Sequence, residues 1–386
     1  MGAALAVLSS LAAPAVASAG ISADSSDAGT HQVGQSPQQV IDHWTPKRLR
    51  DAAGVAPPVA RTPDLLPGGT VDPQGTPVTI PGMGPAGSVA FAGDGYSVSP
   101  DRETSPAGDT EPGQRIHGRV FATLVGVGDF SCSGTVIASP QRNVVVTAGH
   151  CVFGAGTNNQ YATNWVFVPG YRYQSKPYGI WPAAGLLATR AWVEGKGFAY
   201  DVGMAQLKGE VENTTGSAGV AFNQSPDQVF DIFGYPARPN APQDGFGDYD
   251  GERLIACEDA AFRGNEGAPG TPSIGAAYCY MQQGSSGGAW MLNNSNVVNS
   301  VVSHGYCQYD SAHTSYPAGQ CGLIYGPYFG SEALDLYNAA TLATKSCKRS
   351  GKARKAQKRG AGKGAHAKGA HAAKKKKGKC RTKKKG

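Results

Sequence analysis

Charge is scarce in this sequence and unevenly placed: charged residues make up 16% of the 386 positions, and no acid occurs in residues 345–386. That closing run holds 19 of the 35 Lys and Arg, so the rest of the chain carries 16 basic residues against all 28 acids. A run of like charge with few apolar residues cannot build a core, which excludes a folded domain there and predicts a disordered tail over 345–386. Such a tail suits salt-sensitive contact with anionic cell-wall polymers or a membrane surface. Aromatic residues are missing from it, which argues against nucleic acid as its partner.

Long apolar runs are nearly absent as well. Only residues 1–20, rich in Ala, Leu and Val and ending near Ala17-Ser18-Ala19, have the pattern of a secretory leader, although no Lys or Arg precedes the run. Residues 1–19 are therefore read as a signal peptide and the protein as secreted. No other stretch is long enough to span a bilayer. Cysteine is missing from the first 131 residues, and the eight later ones read, in an exported chain, as disulfides rather than metal ligands. A metal site built from His304 with Cys307 or His313 lacks the paired spacing that such sites use. Neither a metal nor another cofactor is expected.

Residues 20–115 hold 13 of the 26 prolines, can bury little apolar surface, and are expected to form an extended or mobile prosegment. One island differs. Residues 36–50 read as two short helical turns, with Thr45 as N-cap and Pro46 at the first helical position.

Strand-like runs broken by Gly and Pro dominate the chain beyond residue 115. They fall at 119–125, 130–137, 144–147, 165–168, 186–189, 191–193, 202–207, 229–234, 254–257 and 297–302, the spacing of a β-barrel protein. Three blocks carry chemistry. Val144-Val145-Val146-Thr147-Ala148-Gly149-His150-Cys151 delivers a histidine from a buried strand, Asp201 opens the next short apolar strand, and Gly284-Ser285-Ser286-Gly287-Gly288 sets a serine among glycines. Serine is a poor nucleophile unless a base takes its proton and donors stabilise the oxyanion that forms, so the three blocks are informative together. A Gly-Ser run is usually a linker, but linkers are not flanked by Ala-Tyr-Cys-Tyr-Met and Ala-Trp-Met-Leu.

These blocks, in the order His, Asp, Ser, resemble the signature blocks of the chymotrypsin-like serine peptidases, and the resemblance covers residues 116–343. It implies an all-β fold of two packed six-stranded antiparallel β-barrels, at 116–225 and 226–344, closed by a C-terminal helix at 330–340 capped by Ser331. The disordered prosegment and tail flank them. It implies a serine endopeptidase acting on protein or peptide substrates, with His150 as base, Asp201 as its orienting carboxylate and Ser286 as nucleophile. The N–H groups of Gly284 and Ser286 would form the oxyanion hole. Cys132 with Cys151, Cys257 with Cys279 and Cys307 with Cys321 each bracket a loop as partners would, although spacing alone leaves their connectivity open, as it does for Cys347 and Cys380. The other reading is an inactive homologue that binds a cell surface.

The sequence departs from animal trypsins in having Ser285, where they place an Asp that pairs with a freed α-amino group. Cleavage after Arg115 would leave Ile116 as a new N-terminus but no such partner for it. The Gly-Ser-Ser-Gly-Gly block and Phe167-Val168-Pro169-Gly170-Tyr171 look closer to secreted bacterial V8-like peptidases. Trp44-Thr45-Pro46-Lys47-Arg48 is similar to an element in prosegments of secreted actinobacterial peptidases, which implies a propeptide that masks or chaperones the enzyme. The substrate pocket would be lined by Tyr280 and by Ser303, His304 and Gly305. No Asp lies near Tyr280, which argues against Lys or Arg at P1. Glutamyl-specific relatives place a His on the later strand, and His304 stands a residue or two out of register with it.

Overall fold

A computed structural model of the chain describes residues 29–52, 75–84, 102–103, 114–237, 249–261, 273–276, 279, 281, 283–293, 295–305 and 324–342. The expected signal peptide and basic tail lie outside the described residues, as do Tyr280, Cys307, Cys321, Cys347 and Cys380.

The N-terminal segment contributes strands β1 (Gly29–Gln32), β2 (Val78–Ile80) and β3 (Arg102–Glu103), and helices α1 (Pro37–His43) and α2 (Pro46–Asp51). Next come β4 (His117–Leu124), β5 (Gly128–Ile137), β6 (Val144–Thr147), β7 (Thr163–Pro169), β8 (Trp181–Ala188) and β9 (Gly203–Leu207). Rich in Val, Phe and Trp and turned by Gly and Asn, these six pair antiparallel in the order β4-β5-β6-β9-β8-β7, and β7 returns to β4. The result is a closed barrel, which removes most unpaired strand edges. Helix α3 (Arg190–Val193) lies between β8 and β9, and α4 (Glu212–Thr215) follows β9.

The second half supplies β10 (Gly219–Phe222), β11 (Val229–Gly234), β12 (Ile255–Ala261), β13 (Ser273–Ala276), β14 (Ala289–Leu292), β15 (Val297–Val301), β16 (His304–Gly305) and β17 (Ile324–Pro327). Among the described residues they lie in two sheets, ordered β2-β10-β15-β14-β11-β12-β3 and β13-β17-β16. The run from β15 to β16 breaks at Val302-Ser303, and each part pairs with a different sheet. Helix α5 (Ser331–Thr341) closes the fold and begins at Ser331 itself. The architecture is the expected all-β one.

Residues 191–193, read as strand, are instead helical. The Thr189 hydroxyl accepts the Trp192 N–H at 3.3 Å and caps one turn, which carries the indole inward to donate to the Phe153 carbonyl at 3.0 Å. A local cap outweighed strand propensity there.

The helical island of the N-terminal segment forms as expected: Thr45 accepts from the Arg48 N–H, and Ser36 makes a reciprocal capping box with Gln39. Its destination was not legible. Val40, Trp44, Leu49 and Ala52 are buried in the same core as the barrel, with the Trp44 ring 5.5 Å from Phe121 and its Nε1 donating to the Asn164 carbonyl at 2.6 Å. Strand β7 pairs with β8 only at Trp181 and Pro182, which leaves the edge from Gly185 to Ala188 for β1. Strands β2 and β3 add to β10 and β12, so the described parts of this segment lie on both halves.

Asp129 anchors the island. It accepts from Thr123 at 2.6 Å and Arg48 at 2.6 Å, and lies 3.1 Å from His43 Nε2. Burial alone would raise its pKa, but the bonds from Thr123, His43 and Arg48 outweigh that and hold the carboxyl below its ordinary value. A carboxyl depressed in the folded state contributes its full stabilisation above the unfolded value of about 3.9 and loses it as pH falls through the folded value. Amide exchange across α1 and α2 is therefore expected to accelerate, relative to β4 and β5, as the pH drops below about 3.9. Asp129→Asn should show that faster exchange already at pH 7 and lose the acid step.

Candidate active site

Strand register brings the first two site residues together. Strand β6 is held between β5 and β9, with Thr147 opposite Gly203. Just past Thr147 a single 3-10 turn, Gly149–Cys151, carries His150, and just before Gly203 a second turn, Phe198–Tyr200, delivers Asp201. The Cys132–Cys151 disulfide ties the histidine turn to β5. A crosslink of this loop size stabilises by about 3 kcal/mol, chiefly through the unfolded chain.

Asp201 is fully buried and accepts three hydrogen bonds: from the His150 backbone N–H at 2.7 Å, from His150 Nδ1 at 2.7 Å, and from Ser303 Oγ at 2.6 Å. Burial pushes its pKa up, but the charge and hydrogen bonds of His150 and the Ser303 hydroxyl outweigh it and hold the carboxyl below its ordinary value. An ionised Asp201 requires the proton of a neutral imidazole on Nδ1, which leaves Nε2 as an acceptor. Nε2 is buried and makes no hydrogen bond among the described residues, to Ser286 included.

The loop carrying Ser286 is held against the histidine strand. The Ser133 N–H donates to the Ser286 carbonyl at 2.7 Å, the Gly287 N–H donates to Val302 O at 2.7 Å, and the Val302 N–H donates to Gly288 O at 2.8 Å. A Cβ on Gly287 would lie 2.1 Å from Thr147 Oγ1, so only glycine permits this approach. Gly284 has φ 87°, in the left-handed region that favours glycine. The Gln283 carbonyl accepts from the Ala237 N–H at 2.5 Å and the Ser285 carbonyl accepts from the Gly288 N–H at 2.8 Å. In a trans peptide the C=O and N–H point in opposite directions, so the Gly284 and Ser286 N–H groups face away from those anchors. Neither donates to a backbone carbonyl among the described residues.

The other expected site residues are placed differently from one another. Ser303, read as part of the substrate pocket, gives its hydroxyl to Asp201; nothing in local spacing announces that long-range bond. His304 stacks on Phe198 and Tyr325, with ring centroids at 4.4 Å and 5.2 Å, beside the aspartate turn. Burial pushes its pKa down to about 4, so it is neutral at pH 7. Gly305 pairs with Ile324 in β16–β17. Cys257 and Cys279 are bonded as expected.

A buried cation escaped the sequence reading. Arg119 is fully buried between the rings of Phe121 and Tyr171, 4.8 Å and 5.2 Å from the two centroids, and bonds to Glu252 at 3.3 Å and Ser131 at 3.1 Å. The neighbouring Gly251 N–H donates to Pro236 O at 2.8 Å, next to the Ala237 that holds Gln283. Among the described residues, Cys132, His150 and Cys151 bring metal-ligand atoms close together. Both sulfurs belong to one disulfide, so that donor set does not fit an ion.

No protein-family model matches the chain. Among solved structures it is similar to the protease Anisep from Arthrobacter nicotinovorans, at 31% identity and a TM-score of 0.51 over 59% of this chain and 96% of that one. A thermostable serine protease, AL20, from an extremophilic microorganism is 33% identical, with a TM-score of 0.49 over 60% of this chain and 98% of that one. The extracellular metalloprotease of Bacillus subtilis (strain 168) is 32% identical over 100 residues, which are 26% of this chain and 30% of that protein. The match thus spans less than a third of that relative's length.

Proposed function

The chain belongs to the chymotrypsin-like serine proteases, and on that premise we propose that it is a secreted endopeptidase acting through His150, Asp201 and Ser286. Ser286 Oγ attacks the scissile carbonyl while His150 Nε2 takes its proton. The developing oxyanion accepts from the Gly284 and Ser286 N–H groups, each donor supplying about 3 kcal/mol of transition-state stabilisation. His150 then protonates the leaving amine, and a water activated by the same nitrogen hydrolyses the acyl-enzyme. Asp201 stays ionised and stabilises the imidazolium.

The observation that carries this reading is the buried Asp201, bonded to both nitrogens that His150 turns toward it and to Ser303. Burying a carboxylate is costly unless it is paired and hydrogen-bonded. An inactive, surface-binding homologue gives this carboxylate and the open Nε2 no task. The word metalloprotease belongs to the Bacillus relative; here the one ligand-like cluster among the described residues has both its sulfurs joined in a disulfide. Secretion is supported by the leader-like residues 1–19, by the disulfides and by that relative's extracellular location.

We further propose that residues 20–115 act as a retained clip on the barrels at 116–225 and 226–344 rather than as a mask. Trp44 and Leu49 belong to the barrel core, and cleavage after Arg115 would have to extract Ile116, which is buried at the entry to β4. In this reading the basic tail at 345–386 holds the enzyme to anionic wall polymers.

Digestion of a peptide library by the purified protein tests the activity and its specificity together. Cleavage is expected, absent from Ser286→Ala, with no enrichment of Lys or Arg at P1; such enrichment would contradict the proposed pocket. A profile without acidic P1 residues would remove the glutamyl-type preference, for which neutral His304, stacked on Phe198, supplies no charge.

A further inference from the structure

We propose that Ser133 is a positioning residue for the oxyanion donors, its hydroxyl locking the peptide that joins them. This rests on the serine-protease reading above and concerns a residue of the other barrel.

Ser133 lies in β5 and is buried. A buried hydroxyl is unfavourable unless it is bonded, and this one is bonded twice. It donates to the Gly284 carbonyl at 2.9 Å and accepts from the Tyr235 N–H at 2.8 Å. Its backbone is engaged as well: the N–H donates to Ser286 O at 2.7 Å, and the carbonyl accepts from Thr147 Oγ1 at 2.7 Å. One residue thus touches the histidine strand, the end of β11 and the nucleophile loop at two points.

Three consecutive peptides run through that loop, and each is held by its carbonyl. Gln283 O is held by Ala237, Gly284 O by Ser133 and Ser285 O by Gly288. The outer two carry the N–H groups of Gly284 and Ser286; the middle one sets their mutual orientation. Gly284 has no side chain to restrain the middle peptide on its side, so losing the Ser133 hydroxyl loosens the common aim of the two donors. The position before Ser286 is Ser285, a neutral residue, and a hydroxyl of β5 bonds the Gly284 carbonyl beside it.

The test compares the full-length wild type with Ser133→Ala, using a fluorogenic peptide substrate, with active sites counted by fluorophosphonate titration. Per titrated site, kcat is expected to fall about 10- to 100-fold with KM changed less than about threefold. The inhibition constant of a peptide aldehyde, which becomes a tetrahedral adduct, should rise by the same factor. That of the matching peptide amide should not move. A purely structural role would lower the count of titratable sites and leave turnover per site intact. A kcat within about threefold of wild type, or an aldehyde constant that does not follow kcat, overturns the proposal. If the alanine variant does not fold, Ser133→Cys, which keeps the volume but donates weakly, is read in the same way. Failure of the wild type itself to take the label would instead overturn the serine-protease reading.

Discussion

Replacing Ser286 by alanine is expected to lower kcat by about a million-fold while leaving the folded structure intact. The side chain is buried in a loop whose backbone anchors, to Ser133 and through Val302 to its glycine neighbours, do not involve the hydroxyl. Removing one oxygen therefore deletes the proposed nucleophile and little else, and the thermal midpoint should move by no more than a few degrees. Because nucleophile and base act as a unit, adding His150→Ala to Ser286→Ala should cost almost nothing further. Single-turnover kinetics on protein titrated for folded content check both statements. Additive losses would show that the two residues do not share a step.

Asp201→Asn should lower kcat by about ten-thousand-fold at neutral pH. Asp201 receives three donors, and an amide can accept on only one oxygen while its NH2 faces another donor. The imidazole relieves the conflict by moving its proton to Nε2, where it can no longer take one from Ser286. The same carboxyl has a linked effect on stability. Its pKa is depressed in the folded protein, so its contribution is complete above the ordinary value of about 3.9 and disappears as pH falls through the folded value. Asp201→Asn removes that acid-dependent portion, and denaturant titrations of the two proteins between pH 2 and about 7 should show the wild type alone losing it.

The candidate site residues were more legible in the sequence than the scaffolding around them. His150, Asp201 and Ser286 stand in short blocks whose composition dictates local structure: an apolar strand, a strand start, a glycine-flanked turn. Their order and flanks were enough to propose them as one set, of which the structure bonds His150 to Asp201. Ser303 was not legible in its true role, because its partner lies 102 positions away and no periodicity encodes that contact. The burial of Arg119 was equally silent, since a lone arginine in a strand normally faces solvent. Trp44 shows a third kind of gap. Its helical setting was written in Thr45 and Pro46, but a proline-rich context pointed to a mobile leader, whereas the indole completes the core of the first barrel. Local rules found the elements; tertiary burial assigned their purpose. Ser133 shows the same gap, since its hydroxyl's bonds to the Gly284 carbonyl and the Tyr235 N–H emerged only from the packed fold.

Labelling the purified full-length chain with a fluorophosphonate, followed by peptide mapping, tests the central claim most directly. The account predicts a single adduct on Ser286, abolished by Ser286→Ala and strongly slowed by Asp201→Asn. An unlabelled wild type, or a label that survives the Ser286 substitution, would contradict it.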